Sequence, residues 1–275
     1  MVSHMLKECR LLPPDSLHCA ILDWIILGRV TGCRRSEWCQ DGPVIEMTTP
    51  CLSHPVPEPK AFLFDDFQFF DKHQRRLYSV SAQDSSVVAF VKVRWRFQKN
   101  NDNGQVIPYS RDYANPSVCP VMAAFRIILR ASALALGLPA SSPLAIYASS
   151  SSEVGFSHIQ ASQVVKYLRQ TARVVFGFQP KDKALERWTC HSIRVTAANI
   201  LHRAGMSDSY IQTRLRWKSS TFLMYLRNTF HSAAKHSEVL AISSSNCPPI
   251  STSDGAIHRP LEPHEAILSS VVPSS

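Results

Sequence analysis

The chain of 275 residues carries 30 lysines and arginines against 21 acids, a net charge of +9, and is 45% hydrophobic. That apolar share excludes a wholly disordered chain, and the length accommodates one large domain or two modest ones. The cationic excess favours a polyanionic partner, nucleic acid ahead of an anionic membrane, although a solubilising surface has the same sign. The eight cysteines form no Cys-x-x-Cys pair and precede no His pair at zinc-finger spacing. Reduced, mostly buried thiols are therefore expected, without metal. The start, "MVSHMLKECRLLPPDS", lacks the apolar core of a signal peptide, and the apolar run "CAILDWIILG" is broken by Asp23 and short of a bilayer span. These features predict an intracellular protein with no membrane partner.

In chain order, residues 1–15 read as a lead-in. Residues 16–40 predict a helix capped by Ser16, a break at Gly32 and a second short helical start. Pro43, Pro50, Pro55, Pro57 and Pro59 make residues 41–60 irregular. A β-like block follows. "AFLFDDFQF" (61–69) is rich in aromatics, and "VVAFVKVRWRFQK" (87–99) alternates apolar residues with Lys92, Arg94 and Arg96. That is the period of a half-buried strand with a basic open face. "NNDNG" (100–104) predicts a hairpin turn, and "QVIPYS" the returning strand.

After Asn115-Pro116 the pattern turns helical, with "CPVMAAFRIILRASALALG" ending on a cap at Gly137. A Ser-rich loop (148–153) then leads into a helix, "SHIQASQVVKYLRQTARVVFG". The next helix buries a stripe of Ile193, Ala197, Ile200 and Ala204 and closes at Gly205. Ser207 caps "DSYIQTRLRW", and a short helix, "STFLMYLRN", presents Tyr225. Residues 241–275 are Ser- and Pro-rich and predict a disordered tail. The compact unit, 16–240, is thus α+β and mainly α, with a small antiparallel three-stranded sheet inserted near its start.

The charge distribution sharpens the question of function. Between residues 187 and 235 stand Arg187, Arg194, Arg203, Arg214, Arg216, Lys218, Arg227 and Lys235, with Asp208 as the one acid. A solvated helix face mixes signs, so this imbalance points to phosphate contact. His191 and Arg194, three apart at a helix start, face neighbouring positions where the helix dipole favours an anion. Singly, each residue has a bland explanation: a surface arginine, a capping histidine, a core tyrosine. Their order carries the information.

"HSIR", "RW" and "MYLR", with Tyr225 eight residues after Trp217, resemble the second box of the tyrosine recombinase (phage integrase) family. In that box His-x-x-Arg is followed by His or Trp and then by Tyr. "TGCRRSEW" (31–38) is similar to the family's first box, and the two are separated by a β-hairpin, as in the family. The Trp and the "YLRN" ending look most like the Cre branch and the recombinases of eukaryotic retrotransposons and cryptons. The resemblance covers residues 16–232 and implies the family's catalytic-domain fold. It also implies cleavage and rejoining of double-stranded DNA, in a mobile-element setting, by a homo-tetramer assembled on the DNA, in the nucleus if the source is eukaryotic. With fifteen residues ahead of the first expected helix, the family's DNA-clamping N-terminal domain is expected to be absent from this stretch. "HSAAKHSEVLAI" stands where the family has a tetramer-forming helix.

The resemblance also assigns roles. Arg34 and Arg194 clamp the non-bridging oxygens of the scissile phosphate, and arginine suits this because its fork donates bidentately. Glu37 supports Arg34. Tyr225 is the nucleophile, His191 its base or a phosphate donor, and Trp217 offers an indole N–H to the phosphate. A hairpin lysine protonates the leaving 5′-oxygen; Lys99 is the first choice and Lys92 the second. Lys92, Arg94, Arg96, Arg214, Arg216, Lys218 and Arg227 are expected to contact DNA. A phosphotyrosyl bond conserves the phosphodiester's energy, so neither cofactor nor metal is implied. Competing readings are a catalytically idle DNA-binding relic, a type IB topoisomerase and an unrelated basic helical domain.

Overall fold

The computed structural model describes residues 1–39, 60–96, 98, 103–135, 142–226 and 237–238. The proline-rich stretch up to residue 59, Lys99 with most of its hairpin turn, Gly137, Arg227, and nearly all of "HSAAKHSEVLAI" and the tail lie outside the described residues. The chain divides into two units, Met1–Asn228 and Thr229–Ser275; of the second, only an exposed helical turn at 237–238 is described.

The first unit is mixed α/β, mainly helical with a small antiparallel sheet. Its centre is helix α2 (Leu17–Thr31), in which every residue from Cys19 to Gly28 is buried. A helix apolar on all sides must be surrounded, and α2 is packed by α1 (Val2–Cys9), α4 (Pro120–Leu134) and α6 (Cys190–Arg203). Ser16 caps α2 through Cys19 N–H, and Gly32 ends it in the left-handed region at φ 62°. Asp23, the charge inside the apolar run, is buried and neutralised from α4 by Arg126 at 2.7 Å and Arg130 at 2.6 Å. The lead-in forms a helix of its own: α1 buries Met5, and Glu8 accepts a hydrogen bond from Tyr167 at 3.0 Å.

The main sheet has four strands where three were expected, in the order β2-β1-β3-β4 and antiparallel throughout. They are β1 (Phe67–Phe70), β2 (Arg76–Leu77), β3 (Phe90–Trp95) and β4 (Gln105–Ser110). The added strand β2 arises from a polar turn: the Asp71 carboxylate accepts the N–H groups of His73 at 2.8 Å and Arg75 at 2.9 Å, so the chain doubles back on β1. Phe67, Phe69, Val91, Val93, Trp95, Ile107 and Tyr109 face the core.

A second departure lies at residues 146–158. The Ser-rich loop is the turn of a hairpin, β5 (Ile146–Ala148) with β6 (Phe156–His158), completed by Gly155 at φ 78°. Helix α5 consequently begins at Ala161 and runs to Phe176, because Phe156 and Ile159 are buried ahead of it in extended chain. α4 ends at Leu134, short of Gly137. On α6 the buried face is Cys190, Ile193, Arg194, Ala197 and Ala198, whereas Ile200 and Ala204 are exposed. The helix is rotated from the expected stripe because its inward face includes an arginine. Among the described residues no helix is long and apolar enough to cross a membrane.

Candidate phosphate-binding cleft

The site is assembled where the end of α2 meets the start of α6. Gly32 turns the chain there, and an added Cβ would meet Leu215 Cδ2 at 2.9 Å, so this close approach requires glycine. Arg34 then caps α3 (Arg35–Trp38) in a reciprocal arrangement with Glu37. The Arg34 N–H donates to Glu37 Oε2 at 2.5 Å and its Nη1 to Oε1 at 2.9 Å. Its Nη2 reaches across the fold to the Arg216 carbonyl at 3.1 Å.

Arg194 approaches from α6 and is 4% exposed. Its Nη1 donates to the Gly32 carbonyl and its Nη2 to that of Leu215 at 2.8 Å. Its guanidinium lies 4.4 Å from the centroid of the Trp217 ring. Burial, with the cations Arg34 and Arg216 nearby, pushes its pKa down to about 9, and it remains a cation at neutral pH. His191 is exposed on one side, and its pKa is also lowered, first by partial desolvation and then by Arg194. This histidine is therefore neutral at physiological pH, able to accept a proton or to donate one N–H.

Tyr225 closes a 3-10 turn, Ser220–Tyr225, anchored by buried Phe222. Its carbonyl accepts from Asn199 Nδ2 at 2.8 Å. The ring stands edge-on to His191, with centroids 5.1 Å apart, and 5.6 Å from Trp217. Beneath lies a small separate core of Ala197, Ala198, Ile211, Leu215 and Phe222, against which Trp217 packs. The Trp217 indole N–H is buried without a partner, a donor whose desolvation is uncompensated until an acceptor arrives.

A cleft of about 500 Å³ opens beside His191 and Arg194, lined also by Arg34, Ser36 and Thr189 with the thiols of Cys33 and Cys190. Guanidiniums, hydroxyls and an imidazole around one cavity make a set of donors suited to an oxyanion. The Cys33 thiol is pushed up to about 12 by burial and by Glu37, so it is not a thiolate at neutral pH. Among the described residues no group of three or more His, Cys, Asp or Glu side chains is placed to hold a metal ion.

The fold thus brings Arg34, Glu37, His191, Arg194, Trp217 and Tyr225 to one place. The expected DNA contacts are arranged differently. Arg216 is 3% exposed, pairs with Glu37 at 3.1 Å and lies over the Trp95 ring; its backbone takes the left-handed conformation at φ 58°. Arg94 and Arg96 are held by the buried carboxylate of Asp66 at 3.1 and 2.8 Å, so both guanidiniums already have an internal partner, although one acid offsets only one of the two charges. Arg214 stacks on Tyr109 and donates to the Pro108 carbonyl at 2.8 Å. Lys92 is exposed with its ammonium over the Phe70 ring, and Lys218 is exposed. Lys99 and Arg227 lie outside the described residues.

Two elements of the site were missed at the level of sequence. Thr189, two residues ahead of "HSIR", has no spacing that singles it out, and Ser36, inside the first box, was given no role. Asp66 announces itself only as half of an acidic pair inside an aromatic run. No protein-family model and no curated protein matches this chain.

Proposed function

We propose that the chain is a DNA strand transferase of the tyrosine recombinase type, with Tyr225 as nucleophile. The observation that carries this reading is the convergence of Arg34, His191 and Arg194 on one cleft, with the Tyr225 ring against His191 and the Trp217 ring against Arg194. In the proposed reaction the phenol oxygen of Tyr225 attacks the phosphorus, its proton passing to His191. The new bond is a 3′-phosphotyrosyl ester, and the bond broken is that to the 5′-oxygen. That oxygen leaves as a hydroxyl once a lysine, Lys99 or Lys92, supplies a proton. Arg34 and Arg194 oppose the charge that grows on the non-bridging oxygens, and the Trp217 N–H gains the acceptor it lacks. Attack by the freed hydroxyl on the phosphotyrosyl ester reverses the step and reseals a strand.

One observation favours a second reading, a DNA-binding domain without turnover. The terminal nitrogens of Arg194 and Arg34 already donate to protein acceptors: Gly32, Leu215, Glu37 and the Arg216 carbonyl. Incubation with nicked suicide duplexes, read as an SDS-stable protein–DNA adduct, separates the two. An adduct that disappears in Tyr225→Phe supports the transferase. Salt-dependent binding without an adduct supports the idle domain.

A further inference from the structure

Helix α5 contains Lys166, Arg169 and Arg173 and no aspartate or glutamate in its 16 residues. Val165, Arg169, Arg173 and Phe176 are spaced four, four and three apart, so they share one face. That face begins at the cleft, which Val165 lines, and reaches Phe176 about 16 Å further along the axis. There the chain presents an aromatic cluster. Phe176 is 52% exposed, stacks on Trp188 at 5.6 Å and 19°, and meets Phe178 at 5.7 Å. Arg169 Nε donates to the Trp188 carbonyl at 3.4 Å, and Trp188 directly precedes Thr189, which lines the cleft. The exposed Lys181, Lys183 and Arg187 adjoin it in the chain, outnumbering Asp182 and Glu186.

An exposed ring, Phe176, backed by half-buried Trp188 and Phe178 among unbalanced cations and joined to a site rich in phosphate donors, has the chemistry that receives an unpaired nucleobase: ring on ring, with the backbone held by arginine. A purely apolar partner would leave Arg169, Arg173 and Arg187 without counter-charges. We propose that Phe176, with Trp188 behind it, is a stacking site for an unpaired base of the DNA strand whose phosphate occupies the cleft. The inference rests on reading the cleft as a DNA phosphate site and names the DNA structure it takes: a duplex with a displaced or single-stranded base beside the bound phosphate. Arg169 and Arg173 mark the path of the intervening backbone.

The test compares the affinity of the full chain for two oligonucleotide duplexes of one sequence, one continuous and one with an unpaired flap, by fluorescence anisotropy at fixed salt. Wild type is expected to prefer the flapped duplex. Phe176→Ala and Phe176→Leu are each expected to lower affinity for it about tenfold, in line with losing one base–aromatic stack, with the continuous duplex unaffected. Phe176→Tyr is expected to retain the preference. Because Phe176 is half in solvent, these variants test the ring without emptying the core, and a circular dichroism melt confirms their folding. The inference is overturned if wild type shows no preference or if Phe176→Leu binds the flap as wild type does. It is also overturned if Phe176→Ala abolishes self-association while leaving DNA affinity intact, since the cluster would then be a protein interface. A flap preference without any Tyr225 adduct leaves the stacking site standing and sinks the transferase; an adduct without a flap preference does the reverse.

Discussion

Arg216 Nη2 lies 3.1 Å from Glu37 Oε2, a contact between residues 179 positions apart in the chain. The carboxylate also takes Arg34 through its other oxygen at 2.9 Å, and both Glu37 and Arg216 side chains are almost fully enclosed. One acid is therefore shared by two guanidiniums, leaving a net positive charge, with the third guanidinium, Arg194, close by. Glu37→Gln keeps the shape and removes the charge. It is expected to cost about 3 kcal/mol, the low end for breaking a buried ion pair from one side. The check is a urea titration in which the midpoint falls with the slope unchanged.

Gly28 supplies the second prediction. A Cβ there would meet Ile193 Cγ2 at 2.8 Å and Cys33 Sγ at 3.1 Å. Helix propensity favours Gly28→Ala by about 1 kcal/mol, but overpacking between α2 and α6 costs about 1–3 kcal/mol. Net destabilisation is expected, and the change paired with Ile193→Ala, which removes the Cγ2 methyl that valine would keep, should cost less than the two single changes added together. A thermal melt of the single and double variants decides this.

Trp217 has two separable tasks, carrying the Arg194 guanidinium on its ring and offering its N–H. Trp217→Phe removes only the second. If the transferase reading holds, single-turnover adduct formation slows roughly 10²–10³-fold, the effect of deleting one donor to a developing oxyanion. Stability should barely change. A rate equal to wild type would mean that the N–H does not reach the phosphate.

The pH dependence follows from His191, whose pKa is lowered by partial desolvation and by Arg194. In the unfolded chain it titrates near the usual imidazole value, about 6.5. Below that pH the unfolded state binds more protons than the folded one. Stability is therefore lost as pH falls through and below the ordinary imidazole range, and is unaffected above it. His158, lowered by burial, acts in the same direction. Adduct formation should likewise hold a plateau through neutrality and decline only on the acid side, a limb that His191→Gln abolishes. Stopped-quench rates across pH 5–8, the interval in which imidazole titrates, measure it.

The distribution of cations predicts which ones DNA feels. Lys92 and Lys218 are exposed, whereas Arg96 is tied to Asp66 and the Ala61 carbonyl. Where Lys92 or Lys218 meets a phosphate, its replacement by alanine lowers the slope of log K against log salt by about 0.9. Arg96→Ala should leave that slope alone and instead lower the denaturation midpoint.

Much of the site was legible because its members sit in short, ordered boxes. The Arg34–Glu37 cap is a local, three-residue relationship, and His191 with Arg194 follows from helical spacing. Strand β3 was visible through its alternation and β4 through the turn ahead of it, Ser16 and Ser207 as caps and Gly32 as a break. The two-residue β2 and the β5–β6 hairpin were not, since neither is long enough to establish a period. The stripe on α6 misled because an arginine occupies an inward position, which hydrophobic patterning has no means of anticipating.

The sequence by itself determined the inventory: an acid-poor, arginine-rich segment with one tyrosine near its end, and two boxes in fixed order. Which cations are free and which are spent was decided by the tertiary structure. Glu37 and Asp66, distant in sequence, supply the counter-charges for Arg216, Arg94 and Arg96, and α2 supplies through Gly32 the carbonyl that holds Arg194. Local charge counts sum over neighbours in the chain, whereas electrostatic energy is set by neighbours in space. Folding alone brings those distant acids and carbonyls within reach.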